Sequence, residues 1–485
     1  MKRKRPKQRI SFLLATFIAV LVGVWLGVHG YYTSTSILVG CVILAGLLWL
    51  SQFWWVGLIT LGLLLGLTRG HIYASDVRVI TSRIGSVVAV SATVSTDPVT
   101  NARHQTEVRV NHIIINGLPA PGTIRVTGFG LRLERGYSVA LTGRLKDGFA
   151  TWNGEMSYPK LHIVNNKLSP LESLRKRFFI GMHTALSDPE ASFGLGLLVG
   201  VGALIPKDLQ LQLTRVGLSH LTAVSGYNLT IIVRLITRLF GKLGPNVAML
   251  LSLWLIGCFI VLAGASASIV RAGAVSTLSL IAGRSGLNIS PSVLIGVVAA
   301  ATLLYDPGYL KDAGWALSFL AFFGILVLAP ATMERWGGPK LLIGRMVLET
   351  LCAELMTLPY VLCVFGQISY VGLLANTVVE PFVPIGMACA AVAGMVAIVV
   401  PALSPLTGWV GEHYLGFMLK IITSFADLPW AAGALALSLA GAIACYSFVL
   451  LIMAIIMRRS AKRAQFAILS PDRSTQCLDT RNGPP

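Results

Sequence analysis

Long apolar runs separated by short polar breaks fill most of the chain, and one polar window interrupts them. The first run covers 19 residues, Ile10 to Val28, behind Met-Lys-Arg-Lys-Arg-Pro-Lys-Gln-Arg, which carries six positive charges in nine residues. A secretory signal has a core of only ~7–15 apolar residues, so this run reads as a spanning helix with a cytoplasmic N-terminus. Residues 36–50 and 53–69 give two further hydrophobic segments, completing a helical region over 1–74. Gly23/Gly27 and Gly62/Gly66 have the four-residue spacing of close helix contacts.

From 75 to 167 the period changes. Val87-Val88-Ala89-Val90, Val108-Arg109-Val110, Ile113-Ile114-Ile115 and Ile124-Arg125-Val126 alternate or cluster β-branched residues, and Asn116-Gly117, Pro121-Gly122 and Asp147-Gly148 punctuate them as turns. Short strands at this spacing predict a small β-barrel or sandwich. The stretch from Arg135 to Leu145, turn then strand then glycine bend, resembles the OB-fold. Three crossings from a cytoplasmic start put this domain outside the cell. If the second and third segments form one bent helix, the side reverses.

Residues 168–189, with Arg175-Lys176-Arg177 ahead of Phe178-Phe179, predict an interfacial amphipathic helix. Helices are then expected over 190–204, 219–240, 246–263, 268–284, 290–304, 314–330, 346–366, 370–400, 405–427 and 434–457, a polytopic domain over 190–457. Arg458, Arg459, Lys462 and Arg463 anchor its end, and 458–485 reads as a basic, disordered tail.

Composition removes the soluble alternatives. Of 485 residues, 55% are hydrophobic and 12% charged, about half the charge of a soluble domain. The fold class is a polytopic α-helical membrane protein with an inserted small β-barrel, OB-like domain. The net charge of +19 has two readings, a positive-inside bias of the loops or a polyanionic ligand. The 75–167 segment alone holds eleven Lys and Arg against six Asp and Glu. Six of seven cysteines lie in apolar runs, no CxxC pair occurs, and the eight histidines are isolated, so no metal or cofactor is expected.

Polar groups at membrane depth are costly and mark candidate chemistry. Four clusters stand out: His220, Thr222, Ser225, Gly226 and Asn228; Ser268 and Arg271; Asp306, Asp312 and Ser318; and Glu354, Gln367, Asn376 and Glu380. His220 suits a packed histidine as well as a path residue, and Asp306 and Asp312 suit helix caps as well as a path. Ser225 lacks a nucleophile elbow or an adjacent base, so no catalytic residue is expected. Arg271 needs either a carboxylate partner (Asp306, Asp312, Glu354 or Glu380) or an anionic substrate.

The order of these motifs resembles the ComEC family of competence proteins. Gly217-Leu-Ser-His220-Leu-Thr222-Ala-Val-Ser225-Gly226 matches its most distinctive stretch, and Ser268-Ile-Val-Arg271-Ala, Asp306-Pro through Asp312-Ala-Gly-Trp-Ala-Leu-Ser318, and Thr357-Leu-Pro through Gln367 and Asn376 to Pro381 are similar to the motifs that follow. Asn228 and Ala316 stand where the family usually has histidine and glutamine, and the metallo-β-lactamase-like signature that many members append is not matched. The resemblance implies an inner-membrane channel for single-stranded DNA, with membrane lipid around it. The implied partners are a DNA receptor, a separate nuclease and a cytoplasmic helicase or translocase. It implies a path along His220, Ser225, Gly226, Asn228, Arg271, Asp306, Asp312, Ser318, Gln367, Asn376 and Glu380. DNA binding by the β-domain would fall to Arg132, Arg135, Tyr137, Arg144, Lys146 and Trp152, although alternating aromatics also suit a core. The rival class is a secondary transporter or channel for a small anionic solute, which broken helices with buried carboxylates would also suit.

Overall fold

A computed structural model describes residues 6–30, 54–100, 105–148, 152–200, 204–222, 240–263, 267–287, 289–336 and 342–453, with isolated positions in 229–238. The segment 36–50, most of 219–240 and the tail lie outside the described residues. Among the described residues, five stretches are long and apolar enough to cross a membrane: Ser11–Val28, Trp54–Thr81, Ala313–Glu334, Gly344–Val364 and Gly372–Val399. Four shorter apolar helices accompany them.

Helices α1 (Pro6–Val28) and α2 (Trp54–Thr81) pack through glycines. A Cβ on Gly62 would lie 2.9 Å from the Thr16 carbonyl oxygen, one on Gly66 would collide with that of Val20, and one on Gly70 with that of Val24. Partners rise together along both helices, so α1 and α2 run parallel. Their C-terminal ends therefore share a side.

The helix α2 continues through Thr81, past the start of the polar window. Its last turns carry Ile80, fully buried within the core of the β-domain. That domain comprises β1 (Val87–Val94), β2 (Val99–Thr100), β3 (Thr106–Ile115), β4 (Leu118–Ala120), β5 (Ile124–Gly128), β6 (Ser138–Asp147), β7 (Gly154–Ser157) and β8 (Lys160–Asn165). The order β1-β3-β5-β7-β6, closed by a β1–β6 pairing, makes a five-stranded barrel in which only β5 and β7 are parallel. This is the strand order of an OB-fold. Strands β2 and β4 flank β3, and β8 extends from β6. Period-two alternation turns Val88, Val90, Val108, Val110, Ile124, Val126, Leu141, Leu145 and Met156 inward. The Asn116-Gly117 turn has both φ angles positive (50° and 84°), as a two-residue hairpin connection prefers.

Helix α3 (Pro170–Ala185) follows, its N-cap Ser169 accepting from Glu172 N. It does more than lie at an interface. One face is buried against the membrane helices, and another holds the barrel through ion pairs described below. Helix α4 (Glu190–Val199) is buried on all sides, as an all-apolar helix requires. Helix α5 (Lys207–Arg215), short and with alternating leucines, is an element that the apolar-run reading misses.

Beyond it come α6 (Pro245–Leu262), α7 (Ala267–Arg284), α8 (Pro291–Tyr305) and α9 (Ala313–Phe323). The expected helix over 314–330 thus passes from α9 through a π-helical turn, Gly324–Leu328, into α10 (Ala329–Trp336). Helix α11 (Leu342–Val364) carries Pro359 inside it. The expected helix over 370–400 is broken at Glu380–Phe382 into α12 (Gly372–Val379) and α13 (Val383–Val399), and α14 (Ser404–Ala426) follows.

The chain divides into two compact units. The first, Met1–Phe319 with Ser369–Ala432, contains the barrel and a large apolar core built on α4, α13 and α14. Phe178 and Met182 of α3 lie against Gly394, near the C-terminal end of α13, and Leu415 of α14 lies against Gly386. The second unit, Leu320–Ile368 with Gly433–Pro485, packs Leu328, Cys352 and Met356 with Val449 and Met453 of α15 (Leu439–Met453). There Tyr446 donates to the Met356 carbonyl at 2.9 Å.

Candidate functional site

Polar groups of the first unit gather in two places. One lies where α2, α8 and α9 meet on the barrel side. Arg69, near the end of the apolar part of α2, donates from Nε to the Leu304 carbonyl and from Nη2 to the Tyr305 carbonyl, both at 2.7 Å. It thereby satisfies carbonyls left open at the C-terminus of α8. Asp306 follows at once and accepts from Gly308 N at 2.8 Å. Asp312 Oδ1 accepts from Trp315 N at 2.9 Å, capping α9, and Trp315 Nε1 reaches Thr302 Oγ1 at 3.1 Å. Both aspartates therefore have a capping role. Burial raises the Asp306 carboxyl above its usual value, outweighing the Gly308 hydrogen bond and Arg69. Burial first, then Asp306, pushes Tyr309 up to about 12, so its hydroxyl stays protonated.

Arg271 sits beside this turn, one helical turn into α7, and is fully buried. Its Nη2 donates to the Gly314 carbonyl at 2.8 Å, and its guanidinium carbon lies 5.5 Å from the centre of the Phe319 ring. Nε and Nη1 are buried without a hydrogen-bond partner, and no carboxylate forms an ion pair with Arg271 among the described residues. Asp312 is near enough for its charge to act on it. Ser318, on α9, is half-buried.

The second place lies toward the far end of α12 and α13. Helix α5 ends at Gly217, whose φ of +76° suits a glycine C-cap. A Cβ there would also press on Ser369 at 3.1 Å. The turn that follows presents His220, exposed, with its ring facing Asn376 of α12. The two clusters are built from different elements, the first from α2, α7, α8 and α9 and the second from the end of α5 and α12. Glu380 stands at the break between α12 and α13, half-buried. Gln367, in the second unit, is exposed. Ser225, Gly226 and Asn228 lie outside the described residues.

On the barrel, Arg132 is exposed and Arg144 donates from Nε to the Gly85 carbonyl at 2.9 Å. Lys146 donates to Ser157 Oγ at 3.2 Å, and Tyr137 packs on the barrel core. Arg135 turns toward α3 and pairs with Glu172 at 3.2 Å. Burial first, then Arg175, lowers its pKa. Trp152 lies over two guanidinium groups, those of Arg109 and Arg125. Sequence reading passed over Arg69, Tyr73, Arg109 and Arg125. The signal for the last two was present as a single arginine at the outward position of each alternating strand.

A sequence profile described as competence protein matches residues 197–460, more than half of the chain. ComE operon protein 3 of Bacillus subtilis (strain 168) is 25% identical over 323 residues. The match covers 61% of this chain and 41% of that protein, so the chain spans about two fifths of its curated relative. No solved structure matches. The profile begins within α4 and takes in His220, Arg271, Asp306, Asp312 and Asn376, so the polar clusters apart from Arg69 fall inside the matched region. The chain belongs to the ComEC family of competence proteins.

Proposed function

We propose that the chain conducts single-stranded DNA across the cell membrane into the cytoplasm during DNA uptake. Arg271 carries this reading. A fully buried guanidinium with two nitrogens lacking hydrogen-bond partners among the described residues is costly. A passing strand would supply a phosphate at each nucleotide, and arginine pairs with phosphate through two parallel bonds. The parallel run of α1 and α2 supports the sidedness. With the basic N-terminus in the cytoplasm, the barrel that follows α2 faces outward, where incoming DNA arrives. The Arg271 cluster, beside the turn that Tyr73 ties to the barrel, then lies toward the entrance.

The chain acts as a passive conduit without chemistry of its own. A receptor delivers the strand, a separate nuclease degrades its complement, and a cytoplasmic helicase or translocase draws it in. The test is uptake of labelled DNA in a transformable strain lacking its own family member and carrying this chain, with membrane abundance measured in parallel. Arg271→Ala should abolish uptake while the protein remains inserted. Normal uptake by that variant would remove Arg271 from the path. Accumulation of inorganic phosphate in place of DNA would favour a carrier of small anions.

A further inference from the structure

We propose that Arg109, Arg125 and Trp152 form a docking site for the unpaired bases of single-stranded nucleic acid, placed on the barrel beside the Asp306 turn. The proposal rests on the DNA-uptake reading and gives it a receiving site. Strand register builds the site. Arg109 of β3 stands opposite Arg125 of β5, Arg125 opposite Glu155 of β7, and Glu155 opposite Lys146 of β6. The core takes the alternate positions, so these four side chains form one row around the outside of the barrel. The Trp152 indole lies across the row, its ring centre 5.1 Å from the Arg109 guanidinium carbon and 5.0 Å from that of Arg125.

Trp152 is half-buried, and an indole beside two guanidinium groups offers a surface on which bases stack, since every base has a π-face and arginine adds a cation–π contribution. Glu107 and Glu155 pair with Arg125 and hold its plane. Counting Arg109, Arg125 and Lys146 against these two carboxylates leaves one net positive charge, which suits weak, salt-sensitive attachment of a strand that has to move on. A second aromatic platform stands at the end of β5 and β7. Phe129 (62% exposed) and Tyr158 (54% exposed) meet with ring centres 5.5 Å apart. Tyr158 adopts φ +53°, an unfavourable conformation for a non-glycine residue. Phe129 lies four positions beyond Arg125, about 13 Å along a strand, so a single chain of nucleotides can touch both.

The position of Asn153 decides where such a strand goes next. Asn153, adjacent to Trp152, exchanges hydrogen bonds with Thr123: its backbone N donates to the Thr123 carbonyl at 2.7 Å, and its Oδ1 accepts from Thr123 N at 3.1 Å. Tyr73 of α2 faces both Asn153 and Asp306, and a Cβ on Gly308 would lie 2.7 Å from its hydroxyl oxygen. One tyrosine therefore separates Asn153, next to the indole, from the turn beside Arg271.

The test uses the full chain in lipid nanodiscs and fluorescein-labelled oligo(dT), followed by anisotropy over a salt series. Trp152→Ala should weaken binding about fivefold or more, the loss of one stacked base, while Trp152→Phe stays within about twofold of wild type. The double variant Arg109→Gln/Arg125→Gln should lower the salt dependence as well as the affinity. Unchanged binding by Trp152→Ala, with the wild type binding normally, overturns the site and leaves the DNA-uptake reading standing. No binding by the wild type at any salt overturns both. If Trp152→Phe loses binding as fully as alanine and its melting temperature falls with it, the indole is structural and the proposal fails.

Discussion

The guanidinium of Arg175 grips the carboxylate of Asp97 through two hydrogen bonds, with Nη1 to Oδ1 at 2.8 Å. Arg175 is 5% exposed, so this pair is largely withdrawn from water. It joins α3 to the loop after β1, and two neighbours reinforce it: Arg135 with Glu172, and Lys176 with Glu134 at 2.7 Å. The hydrogen bonds that Lys176 donates to Glu134 raise its pKa. Glu134 and Lys176 are well exposed, so their pair adds little.

Breaking the inner pair should therefore loosen the barrel from α3. Arg175→Ala should cost about 2–3 kcal/mol, as for a charged hydrogen bond whose partner is left stranded. A double-mutant cycle with Asp97→Asn, followed by denaturant unfolding in detergent, measures the coupling. Additive effects would show that the two side chains do not support each other.

The glycine seam gives a sharper contrast. Gly66→Ala drives a methyl group into the Val20 backbone, where nothing flexible can yield, and should cost about 3 kcal/mol, the upper end of ordinary overpacking. Gly257→Ala on α6 meets nothing within 4 Å and should be neutral or slightly stabilising. Thermal stability of the two variants in the same detergent checks both expectations.

Sidedness has a direct readout. A single cysteine at Leu118, 60% exposed on the barrel, should react with a membrane-impermeant maleimide added outside intact cells. The native cysteines are first replaced. Labelling only after permeabilisation would place the barrel in the cytoplasm and reverse the proposed direction.

Acidity should reach the protein through Asp306. Burial raises its carboxyl, so the folded protein holds that proton more tightly than the unfolded chain does. The resulting stabilisation is full below the ordinary aspartate value of ~3.9 and is lost as pH rises through the raised folded value. Asp306→Asn keeps an acceptor for Gly308 N. It should flatten the melting profile in that window and raise stability above it.

Membrane passage and barrel are both legible in sequence because each has a local period. Ile10 to Val28 announces a helix, and Val108-Arg109-Val110 announces a strand. Asn116-Gly117 likewise fixes its own turn. What escapes is set at a distance. Asp76 and Arg78 end the apolar run, so nothing local shows that the helix continues to Ile80 and supplies the barrel core. Arg109 and Arg125 become neighbours only through the β3–β5 register. Arg271 is conspicuous as an arginine among apolar residues, but its lack of an ion pair among the described residues depends on where four carboxylates far along the chain fold.

Ile80 bears on the order of assembly. It is synthesised before every strand that packs around it. The last turns of α2 thus wait at the membrane surface as a template, and the barrel closes onto them only when β7 has emerged, some seventy residues later. The spacing between the membrane and Ile80 is equally fixed, because one residue inserted after Arg69 would turn Ile80 by about 100° and leave the barrel to close over the wrong face of the helix.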